Sequence, residues 1–391
     1  MKLSLSLCLL IIARLSLCQQ VVYVDPNKSL DKQLRLSEIA SDIKYIKLET
    51  NDSCFIGEIK KAVLDDSYIF ISSPYKDYTR LLMFSVNGKF IRNIGISGRG
   101  PGEYSDVMDF CLNRAEQIIY ILDPLGKILS YNYSGKYLKT INLTCRPAGL
   151  LFFNNMLWLF SAWPDYYLNN GFCILVIPTD KKIGTTYLLN RNWINVKRTP
   201  NTLVYPNYFF AKNSNNSISF FEEKFDTIYY IDSQFKVTPK FVIKLTNELP
   251  WNLLTTTEYN QAVKTHNALF DFLETKKYFF FSVMIPNPAS TYFFVVSKEN
   301  GEIIKHNTKD KQYILNDLDG GLTFIPKGFA SENVLYSSID CFRLKEYMEG
   351  LKSKNQLFKN ASQNNRLSQL ALGSDISDNP ILVFLYSPIK K

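Results

Sequence analysis

The chain has 391 residues, with 45 Lys and Arg against 36 Asp and Glu, a formal charge of +9. Hydrophobic residues make up 46% and aromatic residues 14%, enough for a large core, which excludes a disordered chain. The 17 Gly and 16 Pro exclude a collagen-like or linker-like chain, and the scattered basic residues argue against nucleic acid as a partner.

Residues 1–18 read MKLSLSLCLLIIARLSLC. Lys2 forms a short positive region, 3–13 an apolar stretch, and small residues follow. That is the pattern of a secretory signal, too short to span a bilayer. Its removal takes away Lys2 and Arg14 and no acid, so the processed charge is +7. Leu15-Ser16-Leu17 before Cys18 looks like a lipobox, except that Leu17 stands where Gly, Ala or Ser is usual. Two outcomes stay open. Cys18 is acylated and anchors the chain to a membrane through buried methylenes, or the signal is simply cleaved after it. No later stretch approaches twenty apolar residues, so no transmembrane helix is expected.

Residues 19–42 read as a lead segment. Beyond Cys8 and Cys18, the cysteines are Cys54, Cys111, Cys145, Cys173 and Cys341. They show no C-x-x-C, no zinc spacing and no obvious disulfide framework. Cys111 and Cys173 lie in apolar runs, as small buried hydrophobes do.

From residue 43 the chain reads as short strands. Residues 43–48 alternate. Residues 59–64 and 68–71 flank Asp65-Asp66, and 81–86 and 89–94 flank Asn87-Gly88, a strong hairpin signal because both turn positions need φ > 0. Residues 108–111 and 118–122 form the next pair, then 128–133 and 136–141 flank Ser134-Gly135. Weaker hairpins flank Asp180-Lys181, Ser233-Gln234 and Asn300-Gly301. The turns recur at a spacing of roughly 45 residues, the length of four short strands, as in a propeller blade. Thr255-Thr-Thr-Glu258 reads as a capping box, and apolar residues at helical spacing extend it into a helix over about 256–274, explaining the longest gap. Further helical patches cover 343–354 and 364–371. The strand 381–386 is of the buried type and is expected to share the last blade with 43–48, closing the ring.

The stretch IRNIGISGRGPGEY at 91–104 completes a resemblance. With Tyr45-Ile-Lys-Leu-Glu-Thr50, Asp226-Thr-Ile-Tyr-Tyr230, Asn316-Asp-Leu-Asp-Gly-Gly321 and Asp378-Asn-Pro-Ile-Leu-Val383, the chain resembles the six-bladed β-propeller lipoprotein family of Bacteroidetes. That family is similar to NHL-type and TolB-like propellers. The resemblance implies an exported envelope protein with six blades and supplies no general catalytic set. The expected fold is therefore all-β: a six-bladed β-propeller over 43–391, with short helical insertions and a ring closed by N- and C-terminal strands.

Several residues are candidate ligand contacts. In the loop 95–104, Gly95, Gly98, Gly100 and Gly102 permit tight turns, and Arg99 could meet a carboxylate or phosphate bidentately. Pro101 and the strand that follows argue against a phosphate loop. Arg99, Glu103 and Tyr104 thus either tie blades together or meet a ligand. Trp163 and Tyr166 lie in an aromatic loop segment suited to stacking on sugar or peptide, whereas Trp158 fits a core position. Asp319, with Asp317, Gly320 and Gly321, reads as a tight turn, because the closing Glu of a calcium loop is absent. The two histidines, His266 and His306, form neither a zinc site nor a relay. Glu222 and Glu223 point apart on a strand, and Glu346 and Glu349 fit a solvated helix face.

The function expected is non-catalytic: a cell-envelope protein, periplasmic or an outer-membrane lipoprotein, that binds a protein, glycan or peptide through its loop face and channel mouth. It is expected to be a monomer without cofactor or metal. Membrane contact is expected only through an anchor at Cys18. The alternative is a propeller hydrolase or lyase using channel carboxylates with a divalent metal.

Overall fold

The computed structural model describes residues 20–28, 33–160, 172–179, 186–190, 208–213, 216–222, 225–250, 256–286, 289–307, 313–353 and 361–387. The chain opens with β1 (Gln20–Val24), a short helix α1 (Leu36–Ile39) and β2 (Asp42–Ile46). Four-stranded meanders follow. Blade 1 holds β3 (Lys61–Leu64), β4 (Tyr68–Tyr75), β5 (Tyr78–Ser85) and β6 (Phe90–Asn93). Blade 2 holds β7 (Asp109–Asn113), β8 (Ile118–Asp123), β9 (Lys127–Asn132) and β10 (Tyr137–Asn142). Blade 3 holds β11 (Gly149–Phe153), β12 (Met156–Phe160), β13 (Phe172–Pro178) and β14 (Thr186–Asn190). Blade 4 holds β15 (Tyr208–Lys212), β16 (Ile218–Glu222), β17 (Phe225–Ile231) and β18 (Val237–Leu245). After α2 (Thr256–Ala262), blade 5 holds β19 (Ala268–Glu274), β20 (Tyr278–Pro286), β21 (Ala289–Ser297) and β22 (Ile303–Asn307). Blade 6 holds β23 (Gly328–Ser331) and β24 (Val334–Ile339), then α3 (Cys341–Ser353) and α4 (Ala361–Leu372), then β25 (Ile381–Tyr386). Its outermost strand is β2, paired antiparallel with β25 from Asp42↔Tyr386 to Ile46↔Leu382.

The chain is thus a six-bladed β-propeller closed by strands from both of its ends. Closure removes the open edge that a linear array of blades would leave.

The blades pack face to face through apolar side chains. Between blades 1 and 2, Phe70, Leu81, Phe110 and Ile119 are fully buried in one cluster. Burying each such side chain contributes about 1.5–3 kcal/mol. At the rim, the outer strands of blades 1 and 2 reach the last turn of the next blade. The guanidinium of Arg92 donates to the carbonyl of Ser134, and Lys139 Nζ donates to Thr179 O at 2.9 Å. The Asn-Gly turn works in the same way. Gly88 has φ +82° and packs so closely on the end of β2 that a Cβ there would lie 2.0 Å from Lys47 O. Glycine serves both the turn and the seam.

Two expectations change. The helix over 256–274 stops at Ala262, where His266 N and Thr265 Oγ1 both donate to Ala262 O. Residues 268–274 are β19, because Ala268, Leu269 and Phe272 bury against blades 4 and 5 and pair with β20. The lead segment 19–42 is not separate from the propeller: β1 runs parallel to β18 as a fifth strand of blade 4. The patches at 343–354 and 364–371 are α3 and α4. The turn at Asp180-Lys181 lies outside the described residues.

Candidate functional site

The first strands of the six blades, β3, β7, β11, β15, β19 and β23, surround a cavity of about 1090 Å³ on the ring axis. These strands start next to the long connections between blades and end at tight turns, so the cavity has a loop-side mouth and a turn-side mouth.

The aromatic wall comes from residues far apart in sequence. Phe209 of β15 lies 5.4 Å from Phe272 of β19 and 6.3 Å from Phe329 of β23, ring centre to ring centre. Phe209 and Phe329 belong to blades 4 and 6, so this contact narrows the channel past blade 5. Phe152 of β11 stacks on Tyr120 at 5.9 Å and also lines the cavity.

Most charges in the cavity occur in pairs. Lys61 Nζ donates to Asp109 Oδ1 at 2.7 Å and to Phe110 O at 2.8 Å. Asp109 also accepts from the backbone N–H of Phe110 and of Leu150, both at 2.8 Å. One carboxylate therefore joins the inner strands of blades 1, 2 and 3. At the turn side, Lys212 Nζ reaches Glu332 at 2.5 Å, linking blades 4 and 6, and lies 5.8 Å from the Phe153 ring centre. Lys60 and Lys327 donate to Thr79 Oγ1 and Ser338 Oγ, each at 2.8 Å.

Asp271 differs. It lines the cavity, and no described cation pairs with it. It sits at a β-bulge, where the register of β19 shifts between Phe270 and Leu273, with φ +54°. That left-handed backbone is rare for a residue other than glycine, and bulges re-aim side chains. Surrounding protein raises the Asp271 carboxyl above its ordinary pKa, through loss of water around its charged form.

The cavity therefore offers aromatic side chains, two acidic groups without a described cation partner, Asp271 and Glu58, and ammonium donors that could exchange hydroxyl partners for a ligand. Such a surface suits a ligand with an apolar face and a polar edge. Among the described residues, no three His, Cys, Asp or Glu side chains stand where they could hold one metal ion.

The sequence candidates lie elsewhere. Arg99 is exposed on the loop between blades 1 and 2. The carboxylate of Glu103 folds back to accept from Gly100 N at 2.7 Å, and its carbonyl accepts from Lys127 Nζ at 2.8 Å. Tyr104 is buried in the cluster between these blades. The loop is thus pinned as a blade connection, with Tyr131 Oη donating to Gly102 O at 2.7 Å. Asp319 is also buried, accepting from Asn316 Nδ2 at 2.7 Å, Gly321 N at 3.0 Å and Tyr45 Oη at 3.1 Å. It shapes a turn against β2. Trp163, Tyr166 and Cys18 lie outside the described residues. Trp158 is buried in the blade 3 core, its indole N–H donating to Phe153 O at 3.2 Å.

Neither histidine lines the cavity. His266 Nδ1 lies 2.9 Å from Thr265 Oγ1, and His306 is buried on β22. The five described cysteines are buried, and none forms a disulfide with another. Asp271 and Phe272 were hidden by the helical reading of 256–274. Phe209 and Phe329 carried no local motif, and only their place on inner strands marks them.

The family model described as "Domain of unknown function (DUF4934)" matches residues 19–386. Comparison with curated proteins finds no match. Among solved structures, a candidate exported protein of Bacteroides fragilis NCTC 9343 is 18% identical over 95% of this chain and 100% of its own, with a TM-score of 0.71. A virginiamycin B lyase of Staphylococcus aureus is 17% identical over 75% of this chain and 81% of its own, with a TM-score of 0.41. A structural genomics protein of Bacteroides thetaiotaomicron is 7% identical over 88% and 75%, also at 0.41.

Proposed function

The chain belongs to the DUF4934 family, and from that premise we propose that it is a non-catalytic binding propeller of the cell envelope. Its ligand enters the loop-side mouth of the channel. The observation that carries this reading is the cavity, where Phe209, Phe272 and Phe329 meet beside the unpaired Asp271. Aromatic faces give contact area at low entropic cost, and a lone acceptor fixes orientation. A glycan or a peptide has the matching chemistry, with apolar faces bordered by hydroxyl or amide donors.

Export is supported by the leader at 1–18, and the similar Bacteroides fragilis protein is itself a candidate exported protein. Acylation of Cys18 would hold the propeller at a membrane, as the lipobox-like residues suggest. The hydrolase or lyase alternative needs a converging set of donors in the channel, and no observation favours it.

Glycan and peptide arrays probed with the processed chain test the reading. A binder with a dissociation constant below about 1 mM is expected, and Phe329→Ala should weaken it about tenfold, as truncating a central aromatic contact does. Arrays without any binder would contradict the proposal.

A further inference from the structure

The outermost strands form the rim of the ring, and most carry charge: Arg92 on β6, Lys139 on β10, Lys305 on β22 and Lys44 on β2. Charged residues on an edge strand are the usual guard against unwanted pairing. Two described rim strands have none, β14 of blade 3 and β1 of blade 4, and these blades are neighbours in the ring. On β1, QVVYV, Val22 and Val24 point inward and are buried, while Val21 is 43% and Tyr23 74% exposed. The strand has β18 on one side and no described strand on the other. It begins two residues after Cys18, so an acyl group there lies within about 7 Å of chain length of Gln20.

We propose that the uncharged rim of blades 3 and 4 is the face the propeller lays on a lipid bilayer, so that the ring stands edge-on and both channel mouths stay open to solvent. The occupant is a membrane and not a partner strand, because the point of attachment lies at a rim whose outermost strands carry no charge, and the ammonium beside Tyr23, that of Lys244 on β18, is paired with Asp226. An exposed Tyr beside a Val suits the bilayer interface, where a ring takes an apolar body and a wet tip. The inference rests on the envelope reading and not on the identity of the channel ligand.

The full chain, with its leader, is produced in a Gram-negative host and reconstituted in vesicles of phosphatidylethanolamine and phosphatidylglycerol. A fluorophore is placed at Tyr23→Cys on β1 or at Lys89→Cys on the opposite rim, the five native cysteines of the fold being buried. Quenching by nitroxide lipids should be at least about threefold stronger at position 23 than at 89, since interfacial contact reaches only about 5–10 Å into the boundary. In a Val21→Cys chain, adding Tyr23→Lys should lower quenching at position 21 to the level at 89 with the melting temperature unchanged. Equal quenching at 23 and 89 in a protein that carries acyl label overturns the edge-on orientation alone. A chain that takes up no acyl label overturns the anchor and this inference with it. Ligand binding on arrays is read independently of both.

Discussion

Asn379 shows how a single side chain joins two parts of the ring. Fully buried, it donates from Nδ2 to Glu49 O at 2.6 Å and to Cys54 O at 2.9 Å, and its Oδ1 accepts from Ile56 N at 2.6 Å. It thus ties the strand entering β25 to the connection between blades 6 and 1. Asn379→Ala removes three hydrogen bonds to backbone groups, of which Glu49 O keeps one from Cys54 Sγ, and should cost about 2–4 kcal/mol, read as a lower urea midpoint. Glu248 is a different case. Burial, and then the nearby charge of Asp226, push its carboxyl up to about 7, while Lys244 opposes them. The folded-state pKa lies above the unfolded value, so folding is favoured at low pH and that contribution is lost as pH rises through about 7. Glu248→Gln should therefore flatten the fall in urea midpoint between about pH 5 and about pH 8, and its gain over the wild type should appear only at the higher pH.

At the level of elements, packing between blades governs the order of stability. Glu274 of β19 accepts from Lys298 Nζ at 2.5 Å and from the hydroxyls of Tyr230 and Ser219. The Lys298 ammonium lies 5.2–5.7 Å from the ring centres of Phe279, Phe241 and Tyr230. One buried pair thus holds blade 5 to three strands of blade 4. Ring closure is the other decisive element. A chain ending at Asp378 lacks β25 and so leaves β2 and β24 without their shared partner. It should lose several kcal/mol of stability, seen as a broad, low-temperature melt; an unchanged cooperative melt would show that closure is dispensable.

The same elements show what was legible in the sequence. Asn87-Gly88 and Ser134-Gly135 announced their hairpins because φ > 0 leaves few residue choices, and the spacing of such turns gave the blade length. The inner strand β19 was misread because Leu269, Phe270 and Leu273 satisfy a helical spacing as well as a bulged strand; pairing with β20 decides between them. The loop at 95–104 drew attention by composition, yet its glycines serve a close-packed blade connection. The cavity residues were invisible locally, since a propeller channel collects one or two side chains from each of six distant strands.

For the whole molecule, the ring is a scaffold that brings Phe209, Phe272, Phe329 and Asp271 to one cavity from three blades. Other charges of the lining pair with each other, as in Lys61 with Asp109 and Lys212 with Glu332, which leaves Asp271 and Glu58 as its acidic groups without a described cation partner. In the proposed function the ligand binds in the channel and not on the rim. Hydrogen exchange of the processed chain with and without a binder found on the arrays tests it most directly. Added protection should concentrate at residues 268–274 and 325–331, around β19 and β23. Protection confined to the rim strands, with the inner strands unchanged, would contradict it.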